Sequence, residues 1–134
     1  MDELIAKLTQ ATGIDAVTAE KAIGIIVNFL RKQAPAESVE KAAGAIPGAE
    51  QAADRQAQAQ EGAGGFGGAL AGLGGLMGGD GGLMALAGQL TSAGLSMGQM
   101  QAVGKTIFAH VREKCGEDVV GEIVSAVPGL SQFV

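Results

Sequence analysis

"GIDAVTAEKAIGIIVNFLRKQAPAESVEKAAGAIPG", residues 13 to 48, decides the fold, because its pattern returns 81 positions later as "GLSMGQMQAVGKTIFAHVREKCGEDVVGEIVSAVPG", residues 94 to 129. No gap is needed. Gly13, Ile26, Arg31, Val39, Ala45, Pro47 and Gly48 meet identical residues; upstream, at an offset of 82, Leu4, Leu8, Thr9 and Ala11 meet Leu86, Leu90, Thr91 and Ala93. In so Ala/Gly-rich a chain the identities alone are modest, and their placement matters more. They fall on apolar stripes, turn glycines and a closing Pro-Gly, where a shared backbone requires them.

Each copy reads as three helices. Leu4, Ile5, Leu8 and Ala11 recur at helical spacing, and Gly13 can take the left-handed conformation that closes the helix. Asp15 and Ser96 are N-cap candidates; Ser96 with Gln99 spells a capping box, and Ile14 and Leu95 stand in the staple position. The second helix is expected to bury Val17, Ala22, Ile25, Ile26, Phe29 and Leu30 in one copy, and Met97, Met100, Val103, Ile107, Phe108 and Val111 in the other. Arg31 and Lys32, or Arg112 and Lys114, close these helices where the dipole favours positive charge. The third helix carries Val39, Ala42, Ala43 and Ile46, or Val120, Ile123, Val124 and Val127. Both third helices should stop near Ile46 and Val127, because the residue before a proline is pushed out of helical geometry.

Between the copies, "AEQAADRQAQAQEG" has high helix propensity and almost no large apolar face, so it reads as an exposed helix, with a polar linker as the alternative. Beyond it, residues 62 to 82 hold twelve of the chain's 23 glycines in 21 positions. No strand precedes them and no Gly-Lys-Ser/Thr ends them, which argues against a phosphate loop. Gly64, Gly68 and Gly72, like Gly75 and Gly79, are spaced by four, so in a helix they would smooth a face for backbone contact, with Leu70, Leu73, Leu76 and Met77 supplying the rest. Glycine also costs about 1 kcal/mol per residue in a helix. The segment therefore reads first as a strap, then as a close-packed interface, and last as a membrane insert.

The expected fold is all-α, a pseudo-symmetric bundle of two three-helix repeats joined by an Ala/Gln-rich helix and a Gly-rich segment. Repeat one covers residues 1–50, the connector 51–82 and repeat two 83–134, with the repeats packed as one domain. With four Phe and neither Trp nor Tyr, close helix approach must replace bulk.

A net charge of -5 and a pI near 4.7 oppose attraction to nucleic acid or anionic lipid, since Lys21, Arg31, Lys32, Lys105, Arg112 and Lys114 are interleaved with acids. The start "MDELIAKLTQ" has neither the basic nor the continuous apolar region of a secretory signal, and the lone Cys115 cannot form an internal disulfide, so a reducing cytoplasm is expected. His110, the one histidine, aligns with Phe29 and reads as a structural imidazole, since one His and one Cys make no metal set. Cys115 lies five residues beyond His110, about 140 degrees around a helix, which disfavours a nucleophile–base pair. Glu37, Glu40, Glu117, Asp118 and Glu122 read as solvated acids serving helix starts, without the loop spacing of an oxygen-ligand site. No catalytic, cofactor or metal residue is expected.

"MDELIAKLTQATGID", "FLRK", "AIPGAEQ", "GLGGLMGG" and "VVGEIVSAVPGLSQFV" together resemble a family of small bacterial proteins of unknown function, the VcgC/VcgE type, and more distantly the YidB-like proteins. The resemblance implies a bacterial, all-helical protein with no catalytic residue to carry over. The leading expectation is a non-enzymatic module that associates with protein, itself first. The alternatives are a carrier or enzyme holding an apolar small molecule between the repeats, lined by Met84, Met97, Met100 and Phe108, and a glycine-zipper membrane protein.

Overall fold

The computed structural model describes residues 2–62, 82–127 and 129–133, and every element among them is helical. The chain forms α1 (Asp2–Thr12), α2 (Ala16–Gln33), α3 (Ala36–Ala45), α4 (Ala49–Gly62), α5 (Gly82–Ser92), α6 (Met97–Cys115), α7 (Glu117–Ala126) and a closing 3-10 turn (Leu130–Phe133). The interface glycines Gly64, Gly68, Gly72, Gly75 and Gly79, with Leu70, Leu73, Leu76 and Met77, lie outside the described residues.

The helix boundaries have local causes. Gly13 and Gly94 take φ of 76° and 101°, the turn conformation that a Cβ disfavours. Asp15 occupies the N-cap position of α2 in extended geometry without a side-chain cap hydrogen bond, its carboxyl held below its usual range chiefly by the Thr18 side chain. Ser96 caps α6 through a full capping box: the Gln99 backbone N–H donates to Ser96 Oγ at 3.4 Å, and the Ser96 N–H donates to Gln99 Oε1 at 2.9 Å. The helices α3 and α7 end at Ala45 and Ala126, and the next residues, Ile46 and Val127, are extended, with φ, ψ of -118°, 91° and -116°, 103°.

Elements from the two ends of the chain pack on each other. The helix α1 lies on α6, α5 on α2, and α3 against α7 and α6. One apolar core joins Leu4 and Leu8, Ile23 to Val27 except Gly24, Val39, Ala53, Leu86, Val103, Ile123 and Leu130, so all seven helices contribute. Gln99 Nε2 donates to the Thr12 carbonyl at 3.1 Å, which sets the start of α6 beside the end of α1.

Three expectations need correction. Val17 and Met97 do not belong to the buried stripes: they are 59% and 76% exposed, because each sits in the first turn of its helix at the end of the bundle. The stripe of α2 is also too narrow as read, since Ile23 and Val27 are buried as well. Finally, α4 is no exposed helix. Ala49, Ala52 and Ala53 are buried against α2.

That last contact is close. A Cβ on Gly24 would stand 2.6 Å from the Ala52 carbonyl oxygen and 2.9 Å from its carbon. Around it, Asn28 Nδ2 donates to the Ala53 carbonyl at 2.6 Å, Arg31 pairs with Asp54 at 3.1 Å and Arg55 with Glu20 at 2.7 Å. Glu20, Gly24, Asn28 and Arg31 recur at spacings of four and three, which is one face of α2. The ion pairs are solvent-exposed, so they contribute little beyond register. Alanine succeeds here because backbones can approach.

Gly24→Ala should therefore destabilise the chain by about 1–3 kcal/mol, the usual cost of overpacking, although alanine is the better helix former. Gly121→Ala, in open space on α7, should stabilise by about 0.5–1 kcal/mol. Urea titration followed by circular dichroism checks both signs; a neutral Gly24→Ala would contradict the close approach.

Candidate functional site

The helices enclose an apolar cavity and, apart from it, a polar cleft. The first is an apolar cavity where α2, α5, α6 and the 3-10 turn meet, walled by residues that include Ile26, Phe29, Leu90, Met100, Phe108 and Leu130. Its volume of ≈ 20 Å³ is room for about one water, and its wall is almost wholly apolar. Met100 and Phe108 line it, as the carrier reading expects, but Met97 is exposed, and Met84's side chain lies outside the described residues.

The second is a cleft of ≈ 470 Å³ between α1, α3 and α6, formed by Glu3, Lys41, Gly44, Ala45, Pro47, His110, Lys114 and Cys115. The small residues at the end of α3 keep it open. Lys114 and Cys115 come from the last turn of α6, which Gly116 stops with φ of 92°. His110 and Cys115, set apart by their angle on the helix, thus share one cleft. The Cys115 thiol donates to the Lys41 carbonyl at 3.0 Å.

His110 is buried, at 4% exposure. Its Nδ1 has no hydrogen-bond partner among the described residues. Burial, first, and the Lys7 charge, next, push the His110 pKa down, while the Ala45 carbonyl and Glu3 pull it up and Lys114 adds a smaller downward push.

Glu37, Glu40, Glu117, Asp118 and Glu122 are all exposed. Glu122 reaches across to α3, where it accepts from the buried Ser38 hydroxyl. No group of three His, Cys, Asp or Glu among the described residues could hold a metal ion, and no described helix is long and apolar enough to cross a membrane. No protein-family model, no curated protein and no solved structure matches the chain.

The sign of the His110 shift fixes a pH dependence. The unfolded chain takes up the proton more readily than the folded one. His110's contribution is complete above its ordinary value near pH 6.5 and is lost as pH falls below it, toward the depressed folded value. His110→Phe, which places at 110 the residue that stands at 29, should lose less stability than the parent between pH 7 and pH 5 by about the difference in proton uptake. Parallel urea midpoints of the two proteins across that range would contradict the assignment.

Proposed function

We propose that the chain consists of two copies of one three-helix unit and acts as a non-enzymatic helical module of protein–protein association, its first partner being a second copy of itself. The setting of this reading is the bacterial cytoplasm, in line with the VcgC/VcgE-type resemblance. In favour of the repeat are the matched turns: Gly13 with Gly94 and Gly48 with Gly129 all have positive φ at the common offset of 81. The pairs Leu4 and Leu86, Leu8 and Leu90, Ile26 and Ile107, and Val39 and Val120 are all buried. The packing partners also exchange, with α1 on α6 and α5 on α2.

The observation that carries association is the exposure of Val17 and Met97, the large apolar side chains that the fold leaves in water among the described residues. Both belong to first turns of long helices, and the Gln99–Thr12 hydrogen bond brings those helix starts to the same end of the bundle. Two like patches from two like units favour an isologous contact, in which each copy offers the same surface to the other. Gly64, Gly68, Gly72, Gly75 and Gly79, outside the described residues, stay a second candidate for contact in this reading. A carrier finds less support, because the apolar cavity has ≈ 20 Å³ and a small-molecule site usually needs some hundreds.

Sedimentation equilibrium of the full chain tests this. The parent should associate reversibly, and Val17→Ser with Met97→Gln should raise the dissociation constant by about tenfold or more, with helicity unchanged because both residues are exposed. A parent that stays monomeric at every concentration would refute self-association, and co-purification of an apolar small molecule on that monomer would favour the carrier.

A further inference from the structure

The helices from α1 to α4 and those from α5 onward are held together through the middle of the core. Among the described residues α1 packs more on α6 than on α2, its neighbour in sequence, and α5 packs more on α2 than on α6. The buried leucines Leu4, Leu8, Leu86 and Leu90 thus belong to helices that dock on the opposite half. Polar contacts cross the same boundary. Lys7 meets Glu113 at 3.3 Å, Gln99 Nε2 donates to the Thr12 carbonyl at 3.1 Å, the Cys115 thiol donates to the Lys41 carbonyl at 3.0 Å, and the Ser38 hydroxyl donates to Glu122. The close approach at Gly24 assigns α4 to the first half. One covalent connection, residues 63–81, then joins the halves.

We propose that the surface each half shows the other is also an interaction surface between chains, whose partner is a second copy of this chain, and that two copies exchange halves to form a closed dimer. In that dimer the α1–α4 half of each copy packs on the α5–α7 half of the other. Every contact across the boundary is kept, because none depends on which chain supplies the half. Neither half can cover its leucines alone, so a folding half must find an opposite half, its own or another copy's. The connection is long enough for either. Its nineteen residues reach up to about 60 Å, against about 30 Å across a small domain. What opposes exchange is the effective concentration of the half on the same chain, on the order of millimolar. Dilute folding therefore closes each chain on itself, and folding near a millimolar gives exchange. The exchanged dimer parts slowly, since the core must open first. It uses neither Val17 nor Met97, so it stands apart from the surface contact proposed above.

The test uses the full-length Val17→Ser/Met97→Gln chain, in which that surface contact is removed. Refolded from urea at about 1 mM and diluted roughly a thousandfold, it should show on size exclusion a dimer that persists for hours with the helicity of the monomer. Refolded at about 1 µM, it should be monomeric. Lys7→Glu and Glu113→Lys, made separately in the same chain, then identify the contact. Each alone sets like charges across the boundary, whereas an exchanged dimer with one copy of each restores opposite charges at both pairs. Co-refolded at the higher concentration, with one variant isotope-labelled and the dimers weighed by native mass spectrometry, the ratio of mixed to like dimers should rise about threefold above its statistical value, the scale of exposed ion pairs. No persistent dimer after concentrated refolding, or mixed dimers at their statistical share, would overturn the proposal.

Discussion

At Gly24 the backbone of α4 comes so close to α2 that no side chain fits between them, and the rest of the bundle depends on that approach. With four Phe and no Trp or Tyr, the chain cannot bury area through large side chains alone. It buries α2 on nearly every side instead. Ile23, Ile25, Ile26, Val27, Phe29 and Leu30 enter the core, and the polar face of Glu20, Gly24, Asn28 and Arg31 is covered by α4. Packing at this density is nearly incompressible and passes strain on to its neighbours, so a single methyl at position 24 is felt.

The same shortage of bulk shapes the polar cleft. Where α3 ends in Gly44 and Ala45, nothing large fills the space against α1 and α6, and a histidine stands in the α6 wall. Phe29 of α2, the residue that aligns with His110, is by contrast an apolar wall of the small cavity. One position of the pattern thus carries an aromatic hydrocarbon in one half and a titratable ring in the other. The second long helix likewise carries an exposed lysine, Lys105, where α2 has Gly24.

Most of the helix boundaries were legible because they are set by neighbours in sequence. Gly13, Gly94, the Ser96–Gln99 box and the residues before the prolines act within one turn. The role of α4 was hidden, because its buried residues are alanines, which look alike in a solvated helix and in a backbone-to-backbone contact. The available signal was on α2. Ile23 and Val27 lie off the stripe of Ile26 and Phe29, and a helix apolar on more than one face must be covered on more than one face. Val17 and Met97 mislead in the opposite sense, since periodicity assigns a residue to a face of the helix but says nothing about where the bundle ends. The cleft was beyond reach from sequence: Glu3, Lys41 and Cys115 are brought together from three helices, and spacing along one helix kept His110 and Cys115 apart.

Amide hydrogen exchange in the native chain tests the docking of α4 most directly. The amides of Ile25 to Val27 should exchange only through global unfolding, and those of Ala52 and Ala53 should share that free energy, because covering α2 and ordering α4 are one event. Exchange of Ala52 and Ala53 at the rate of an isolated, fraying helix, while α2 stays protected, would contradict the account.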